Sequence, residues 1–124
     1  MYIKMDEILK HLVMHTNQIR MYHWKTKLFA RHKSTDKYLK IIDPIIDNII
    51  ESLQGGRELR ISDSFTAKYT SVTDKKAVGY LEDHKTWLIT NFPKLLVKTE
   101  SDILNLRDEL LAAVNRLLYL FTLD

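Results

Sequence analysis

The sequence predicts an all-α fold: a bundle of four helices with one long crossover between the second and the third. The chain contains three Gly and two Pro among its 124 residues, which favours long helices over many turns. Its apolar residues recur at helical spacing in four stretches, and a long segment without a lasting period separates the second stretch from the third. A connection of that length allows two neighbouring helices to run in the same direction.

Composition narrows the class of protein. A chain of 124 residues is expected to form a single domain, residues 1–124, and 45% hydrophobic residues are enough for a core. Because the chain has no Cys, disulfides, thiolate metal sites and Cys nucleophiles are excluded. No apolar run approaches the roughly 18 residues of a membrane span, and the first residues lack the layout of a signal peptide. A cytoplasmic protein that does not contact membranes is therefore expected.

The first two helices are expected over residues 6–28 and 34–54, joined by a short basic turn. Either Ser34 or Thr35 can cap the second helix. Its many Ile would also suit a strand, but its length and its acidic pairs four residues apart favour a helix. Pro44 lies inside it, cannot donate a backbone hydrogen bond, and is expected to kink or bulge the helix.

The second half of the chain supplies the crossover and two more helices. The crossover is expected over residues 55–73, which carry several Gly, Ser and Thr. The third helix is expected over residues 74–91, and Pro93 interrupts or ends it. The fourth helix starts at Thr99 or Ser101 and carries the most regular amphipathic stripe in the chain.

Five side chains of the types that bind divalent metals are the candidate site: His23, His32, Asp36, Asp47 and Glu51. His32 and Asp36 are four residues apart, as are Asp47 and Glu51, so each pair lies on one helical face. Asp36 and Asp47 are eleven residues apart, so they share a face but lie about 16 Å apart along the helix axis. One helix therefore cannot bring both pairs to one metal ion.

A second copy of the chain can close the site. Across a two-fold axis, an antiparallel second helix places the His32 and Asp36 end of one subunit against the Asp47 and Glu51 end of the other, twice. Two identical sites result per dimer. Two His and three carboxylates suit iron, as Fe(II) or Fe(III), or manganese better than a closed structural zinc site, although zinc can substitute.

The pattern resembles the intersubunit ferroxidase centre of the Dps-like miniferritins, which belong to the ferritin-like superfamily. The matching phrases are His23-Trp24, His32 with Asp36, Asp47 with Glu51, and Gly55-Gly56 after the second helix. The resemblance covers residues 8–56, with a shorter stretch between His23 and His32 than in the family and with Pro44 inside the second helix. The chain is similar, more closely still, to small ferritin-like proteins of phages and large viruses whose function is not established.

The resemblance implies a ferroxidase that oxidises Fe(II) with hydrogen peroxide or dioxygen and stores the Fe(III) as an oxide mineral. His32, Asp36 and Glu51 would hold the tighter ion, and His23 and Asp47 would support a second ion or a bridging water. These five residues would thus be both catalytic and metal-binding. By the same analogy, the two-fold dimers would assemble into a larger shell, a hollow dodecamer.

Two alternatives to the ferroxidase remain open. The chain is also consistent with a structural or interaction protein of a virus or phage, associated with the virion, that keeps the bundle with a vestigial metal site. A net charge of +3 and a pI of about 9.1 permit contact with phosphates. Because the basic residues are dispersed, non-specific DNA binding is expected only as an accessory property.

Other residues near these motifs have a structural interpretation. His11 and His15 are four residues apart, and a packing pair hydrogen-bonded to its neighbours is favoured over a zinc or iron site. His84 is assigned no role. Asp43 shares the acidic face and is expected to be solvated. Trp24 is expected either in the core or beside the metal centre, where an aromatic ring can shield the site.

Overall fold

The computed structural model of the protein describes residues 2–62 and 64–123, with side chains from residue 5 onward. It contains four α-helices: α1 (Tyr2–Lys25), α2 (Phe29–Arg57), α3 (Ala77–Thr86) and α4 (Ser101–Phe121). A π-helical turn over Trp87–Asn91 and a 3-10 turn over Phe92–Leu95 follow α3. Since none of the residues in the two described ranges lies in a strand, the predicted all-α class is confirmed.

Both α2 and α3 run opposite to α1. A three-residue connection, 26–28, joins α1 to α2 and turns the chain back along itself. In the other direction, His11 of α1 meets His84 of α3, and His15, one turn further along α1, meets Tyr80, one turn earlier in α3. The second and third helices are therefore parallel to each other.

The fourth helix closes the bundle and runs opposite to α2 and α3. Arg57 at the end of α2 pairs with Glu100 just before α4, and Arg107 in α4 donates to the carbonyl of Leu88 after α3. The connection 58–76 thus joins two parallel helices, as the sequence predicts for a crossover.

The core lies between the four helices and is mostly aliphatic. Its largest fully buried side chains are Tyr22, Phe92, Met5, Ile8, Leu12, Ile19, Ile42, Ile49, Leu53, Leu81, Leu88 and Ile103. Burying one such side chain stabilises the fold by roughly 1.5–3 kcal/mol. The stripe predicted on α4 is confirmed by its buried residues Ile103, Leu110, Ala113, Val114, Leu117 and Phe121. In the part of the chain that the structure describes, every helix is too short or too polar to cross a membrane.

The first helix ends at Lys25, three residues before the predicted end. Its end is set by Asp74, just before α3. The Asp74 carboxylate accepts hydrogen bonds from the hydroxyls of Tyr22, at 2.8 Å, and Thr26, and from the backbone N–H of Lys27 at 3.2 Å. A tertiary contact therefore stops the helix, and no local sequence signal marks this position.

The second helix begins at Phe29, so the prediction of a start near Ser34 or Thr35 is wrong. Leu28 occupies the N-cap position and makes no side-chain cap bond. The hydroxyls of Ser34 and Thr35 instead donate to the backbone carbonyl of Arg31, at 3.3 and 2.7 Å. Ser and Thr make such bonds inside helices, so these residues lie within the helix and do not start it.

The same helix ends at Arg57, beyond the predicted end at residue 54, and includes Gly55 and Gly56. Glu58 takes the left-handed conformation at φ 55° and ψ 42°, and its N–H bonds to the carbonyl of Gln54. Gly is the usual residue at such a position. The helix continues past the Gly pair because the guanidinium of Arg57 is held by a bidentate ion pair with the segment before α4.

The third helix is shorter than predicted, and its geometry changes before Pro93. α3 begins at Ala77 and not at residue 74, and the π-helical turn follows it. The N–H of Phe92 bonds to the carbonyl of Trp87, five residues earlier. Because a Pro ring prevents regular α-helix in the preceding turn, the predicted interruption at Pro93 is confirmed. The predicted start of the fourth helix at Ser101 is confirmed as well.

Candidate metal centre

Two of the predicted ligands meet where α1 ends and α2 begins. His23 lies in the last turn of α1 and His32 in the first turn of α2. Their imidazole rings stack with centroids 4.1 Å apart and planes 10° apart. The short connection between the helices and the early start of α2 at Phe29 produce this contact.

Hydrogen bonds define the tautomer of both imidazoles. Nδ1 of His32 lies 2.9 Å from the carbonyl oxygen of His23, so it carries the proton and donates it. Nδ1 of His23 lies 3.0 Å from the hydroxyl oxygen of Thr35. That hydroxyl already donates to Arg31, so it accepts the proton of His23. In the neutral rings, both Nε2 atoms therefore carry a lone pair that a metal ion can use.

Asp36 is the third member of this half-site and is exposed. Its carboxylate accepts a hydrogen bond from Nζ of Lys40 at 3.1 Å, one turn further along α2. This bond and the charge of Lys40 lower the pKa of Asp36. The carboxylate is thus ionised at neutral pH, but Lys40 partly neutralises it and competes with any metal ion for its oxygens.

The second half-site consists of Asp47 and Glu51, both exposed on α2. A hydrogen bond that the protonated Glu51 carboxyl donates to the Asp47 carboxylate, together with the negative charge of Asp47, raises the pKa of Glu51. Among the described residues, neither carboxylate forms an ion pair with a basic side chain. Two acidic groups that repel each other in this way are stabilised by a cation.

The structure thus stacks His23 on His32 with Asp36 one turn further along α2, and separately places Asp47 beside Glu51, but neither set is a metal site by itself. Across the described part of a single chain, no group of three or more His, Cys, Asp or Glu side chains is arranged to hold a metal ion. Any centre that uses both half-sites therefore needs residues from a second copy of the chain.

Pro44 lies between the half-sites without breaking the helix. The predicted bulge at Pro44 is not observed, since α2 is α-helical at every residue from Phe29 to Arg57, while the alternative, a kink, stays a prediction. A bulge would add a residue to one turn and rotate Asp47 relative to Asp36. Because no π-turn intervenes, the two half-sites keep the same helical face.

Trp24, beside His23, is 70% exposed, so its interpretation as a core residue is wrong. Phe29, at the start of α2, is 73% exposed. Both rings lie at the end of the bundle that carries the His half-site. Shielding of a metal centre by Trp24 stays a prediction. Asp43 is exposed, as predicted, and its carboxylate lies 3.7 Å from the guanidinium of Arg20.

A second histidine cluster lies inside the bundle and includes His84, which the sequence did not single out. His15 is almost fully buried, with Nδ1 2.9 Å from the hydroxyl of Tyr80 and Nε2 2.7 Å from that of Tyr38. His11 and His84 are hydrogen-bonded to each other at 3.0 Å. The predicted packing role of His11 and His15 is confirmed. His84 joins them only because α3 lies against α1, which no spacing in the sequence reveals.

Burial keeps this cluster uncharged. It lowers the pKa of His11 to about 4 and places those of His15 and His84 well below the usual value. The rings lie face to face, His15 on His84 at 3.4 Å between centroids and His11 on Trp87 at 3.5 Å. Both ring nitrogens of His15 are bonded to Tyr hydroxyls, and His11 and His84 are bonded to each other. The cluster is therefore a packing device.

Comparison with known proteins identifies the family of the chain. No curated protein and no solved structure matches it. A family model described as a family of unknown function (DUF5856) matches residues 23–121, a segment that begins at His23 and contains all five candidate ligands. Because this match covers most of the chain, the protein belongs to the DUF5856 family.

Proposed function

We propose that the protein is a Dps-like ferroxidase on a ferritin-like four-helix bundle. In this proposal two subunits pair across α2, and iron binds between His23, His32 and Asp36 of one subunit and the Asp47–Glu51 pair of the other. Fe(II) is the substrate. The Fe(III) product hydrolyses to an oxide mineral that a larger shell, a dodecamer by analogy, would hold. Manganese or zinc would bind the same ligands.

The observation that carries the proposal is the state of the half-buried His23 imidazole and the exposed His32 imidazole. Each donates its Nδ1 proton to an oxygen of the chain, one to a backbone carbonyl and one to Thr35, and each keeps the Nε2 lone pair for a ligand. Metal-binding His side chains in proteins almost always have this arrangement, which holds the ring in place and increases its basicity.

The acidic half-site supports the choice of metal. Fe(III) is a harder ion than Fe(II), so carboxylate oxygens stabilise the oxidised product and favour the reaction. With hydrogen peroxide, two Fe(II) ions each give one electron, the O–O bond breaks, and two protons complete two water molecules. With dioxygen, two electrons and two protons give hydrogen peroxide. The iron carries out the electron transfer, and the protein positions it.

The course of the chain supports the finer fold assignment. Ferritin-like bundles carry one long crossover between helices that run in the same direction. The parallel course of α2 and α3 and the connection 58–76 agree with that topology.

The test uses two variants, Asp36→Ala and Glu51→Ala, and the initial rate of Fe(II) oxidation followed by absorbance. Each variant alone should lose the activity, and a mixture that has exchanged subunits should recover part of it. In a mixed dimer one site lacks both residues and the other keeps both. Random exchange makes half of the dimers mixed, so recovery should reach at most about one quarter of the wild-type rate.

Three outcomes separate the alternatives. A site within one chain predicts no recovery on mixing, and recovery well above one quarter also contradicts the two-subunit site. Equal rates for the wild type and both variants would favour a structural or interaction protein. For that second function the exposed Trp24 and Phe29 are the observation in favour, because they offer a partner an aromatic surface.

A further inference from the structure

The side chains on the outer face of α2 form a single stripe. At 3.6 residues per turn, a row of six polar side chains, each three or four residues from the next, falls within an arc of about 100°. They are His32, Asp36, Lys40, Asp43, Asp47 and Glu51, and all six are exposed. We call this set the α2 stripe. The candidate ligands occupy its two ends, and Lys40 and Asp43 occupy its middle.

Charge is distributed unevenly along α2. The half from Phe29 to Ile42 carries four basic residues, Arg31, Lys33, Lys37 and Lys40, against one acidic residue, Asp36. The half from Asp43 to Arg57 carries three acidic residues, Asp43, Asp47 and Glu51, against one basic residue, Arg57. A second copy of α2 laid antiparallel places the basic half of each helix on the acidic half of the other. A parallel copy would place like charges together.

The proposed metal centre fixes the register of this pairing. In an antiparallel pair, residue numbers rise towards the two-fold axis on one helix and fall towards it on the other. If Asp36 faces Asp47 of the partner subunit, then Lys40 faces Asp43 of the partner subunit, because each of these two residues lies four positions closer to the axis. Opposite charges therefore meet beside the axis, and they meet twice.

Within one chain, Lys40 and Asp43 have weak partners. Lys40 contacts Asp36 at 3.1 Å, and Asp43 lies 3.7 Å from Arg20 of α1. All four side chains are substantially exposed, so each pair contributes at most about 1 kcal/mol. Such contacts can be exchanged for a pair that becomes shielded from water at an interface, where charge complementarity also selects the partner.

We propose that Lys40 and Asp43 form reciprocal ion pairs across the two-fold axis of a homodimer. These pairs set the antiparallel register of the two α2 helices. They also move Lys40 away from Asp36, whose carboxylate then becomes available to the metal ion. Dimer formation and metal binding are thereby coupled. The inference rests on the proposed function for the register of the dimer, but its test requires no metal.

The experiment is a charge swap measured by sedimentation equilibrium in metal-free buffer at low salt. Lys40→Glu and Asp43→Lys should each raise the dimer Kd by roughly tenfold or more, because two attractions become two repulsions. The double variant Lys40→Glu/Asp43→Lys restores opposite charges and should return the Kd to within about threefold of wild type. Lys37→Glu, an exposed change on the same helix but off the stripe, is the matched control and should leave the Kd nearly unchanged.

A second measurement does not depend on affinity. The chain has no Cys, so single thiols can be introduced without background. A mixture of Lys40→Cys and Asp43→Cys chains should form a disulfide-linked heterodimer on oxidation, whereas Lys37→Cys mixed with Asp43→Cys should not. Equal crosslinking in the two mixtures would contradict the register.

The outcomes distinguish this inference from the proposed function. If the double variant restores the dimer but the wild type neither binds nor oxidises Fe(II), the proposed ion pairs are retained and the ferroxidase proposal is overturned. If the wild-type dimer oxidises iron but the double variant dimerises as weakly as the single variants, the proposed ion pairs are overturned and the ferroxidase proposal is retained. A wild type that stays monomeric with and without Fe(II) would overturn both.

Discussion

Two histidine clusters lie in the same bundle, and they use the same side chain for opposite purposes. In the inner cluster, both ring nitrogens of His15 are hydrogen-bonded, to the hydroxyls of Tyr38 and Tyr80. In the outer cluster, Nδ1 of His23 and Nδ1 of His32 are each hydrogen-bonded to an oxygen of the chain, and Nε2 of each ring remains available. Both clusters contain stacked rings, so stacking does not separate a ligand site from a packed core. His15 differs from His23 and His32 in that both of its ring nitrogens are already hydrogen-bonded.

The inner cluster should make the protein sensitive to acid. Its histidines stay neutral in the fold, while in the unfolded chain they take up protons below about pH 6.5, so stability is complete above that pH and declines below it. Each histidine contributes a slope of at most about 1.4 kcal/mol per pH unit, or roughly 4 kcal/mol per unit for three. For His11 the decline continues to its pKa of about 4.

Urea unfolding at a series of pH values between 7.5 and 5 measures this slope. In His11→Gln one of the three contributions is absent, so the slope should fall by up to about 1.4 kcal/mol per unit. An unfolding free energy that stays constant over this range would show that the inner histidines take up protons without unfolding.

The next largest effect is expected from His15→Ala at pH 7.5. It leaves the hydroxyls of Tyr38 and Tyr80 without their partner and opens a cavity, so the free energy of unfolding should fall by roughly 3 kcal/mol. Chemical denaturation followed by circular dichroism is the measurement. A loss below 1 kcal/mol would indicate that water or a rotated Tyr replaces the imidazole.

Metal should affect the outer cluster alone. Zn(II), which has no redox chemistry, should stabilise the folded protein by about 2.7 kcal/mol at one hundred times its Kd if it binds the proposed centre. The increment should largely disappear in His32→Ala and persist in His11→Gln. Thermal or urea unfolding with and without zinc measures it. An increment that survives His32→Ala would place the zinc elsewhere.

The smallest effect is expected from His32→Ala without metal. Its ring is exposed and its one hydrogen bond lies at the surface, so the free energy of unfolding should change by no more than about 0.5 kcal/mol. Comparison with His15→Ala under the same conditions tests whether the two clusters differ as proposed. A loss comparable to that of His15→Ala would mean that the outer stack also supports the fold.

Much of the fold could be predicted because helices are local structures. The stripe on α4 and the interruption at Pro93 follow from residues within a few positions of each other, and both are confirmed. The boundaries of α2 could not be predicted in this way. Its start depends on the tight turn held by Asp74 and its end on the ion pair of Arg57, and both contacts join residues more than 40 positions apart.

The candidate site, like the fold, has local features that the sequence predicts and long-range features that it does not. The sequence by itself determined the pairs His32 with Asp36 and Asp47 with Glu51, since a spacing of four places side chains on one helical face. Only the tertiary structure decided that His23 stacks on His32, which nitrogens remain available, and that His84 belongs with His11 and His15. Those features depend on how α1 approaches α2 and α3, and the packing of the whole core sets that approach.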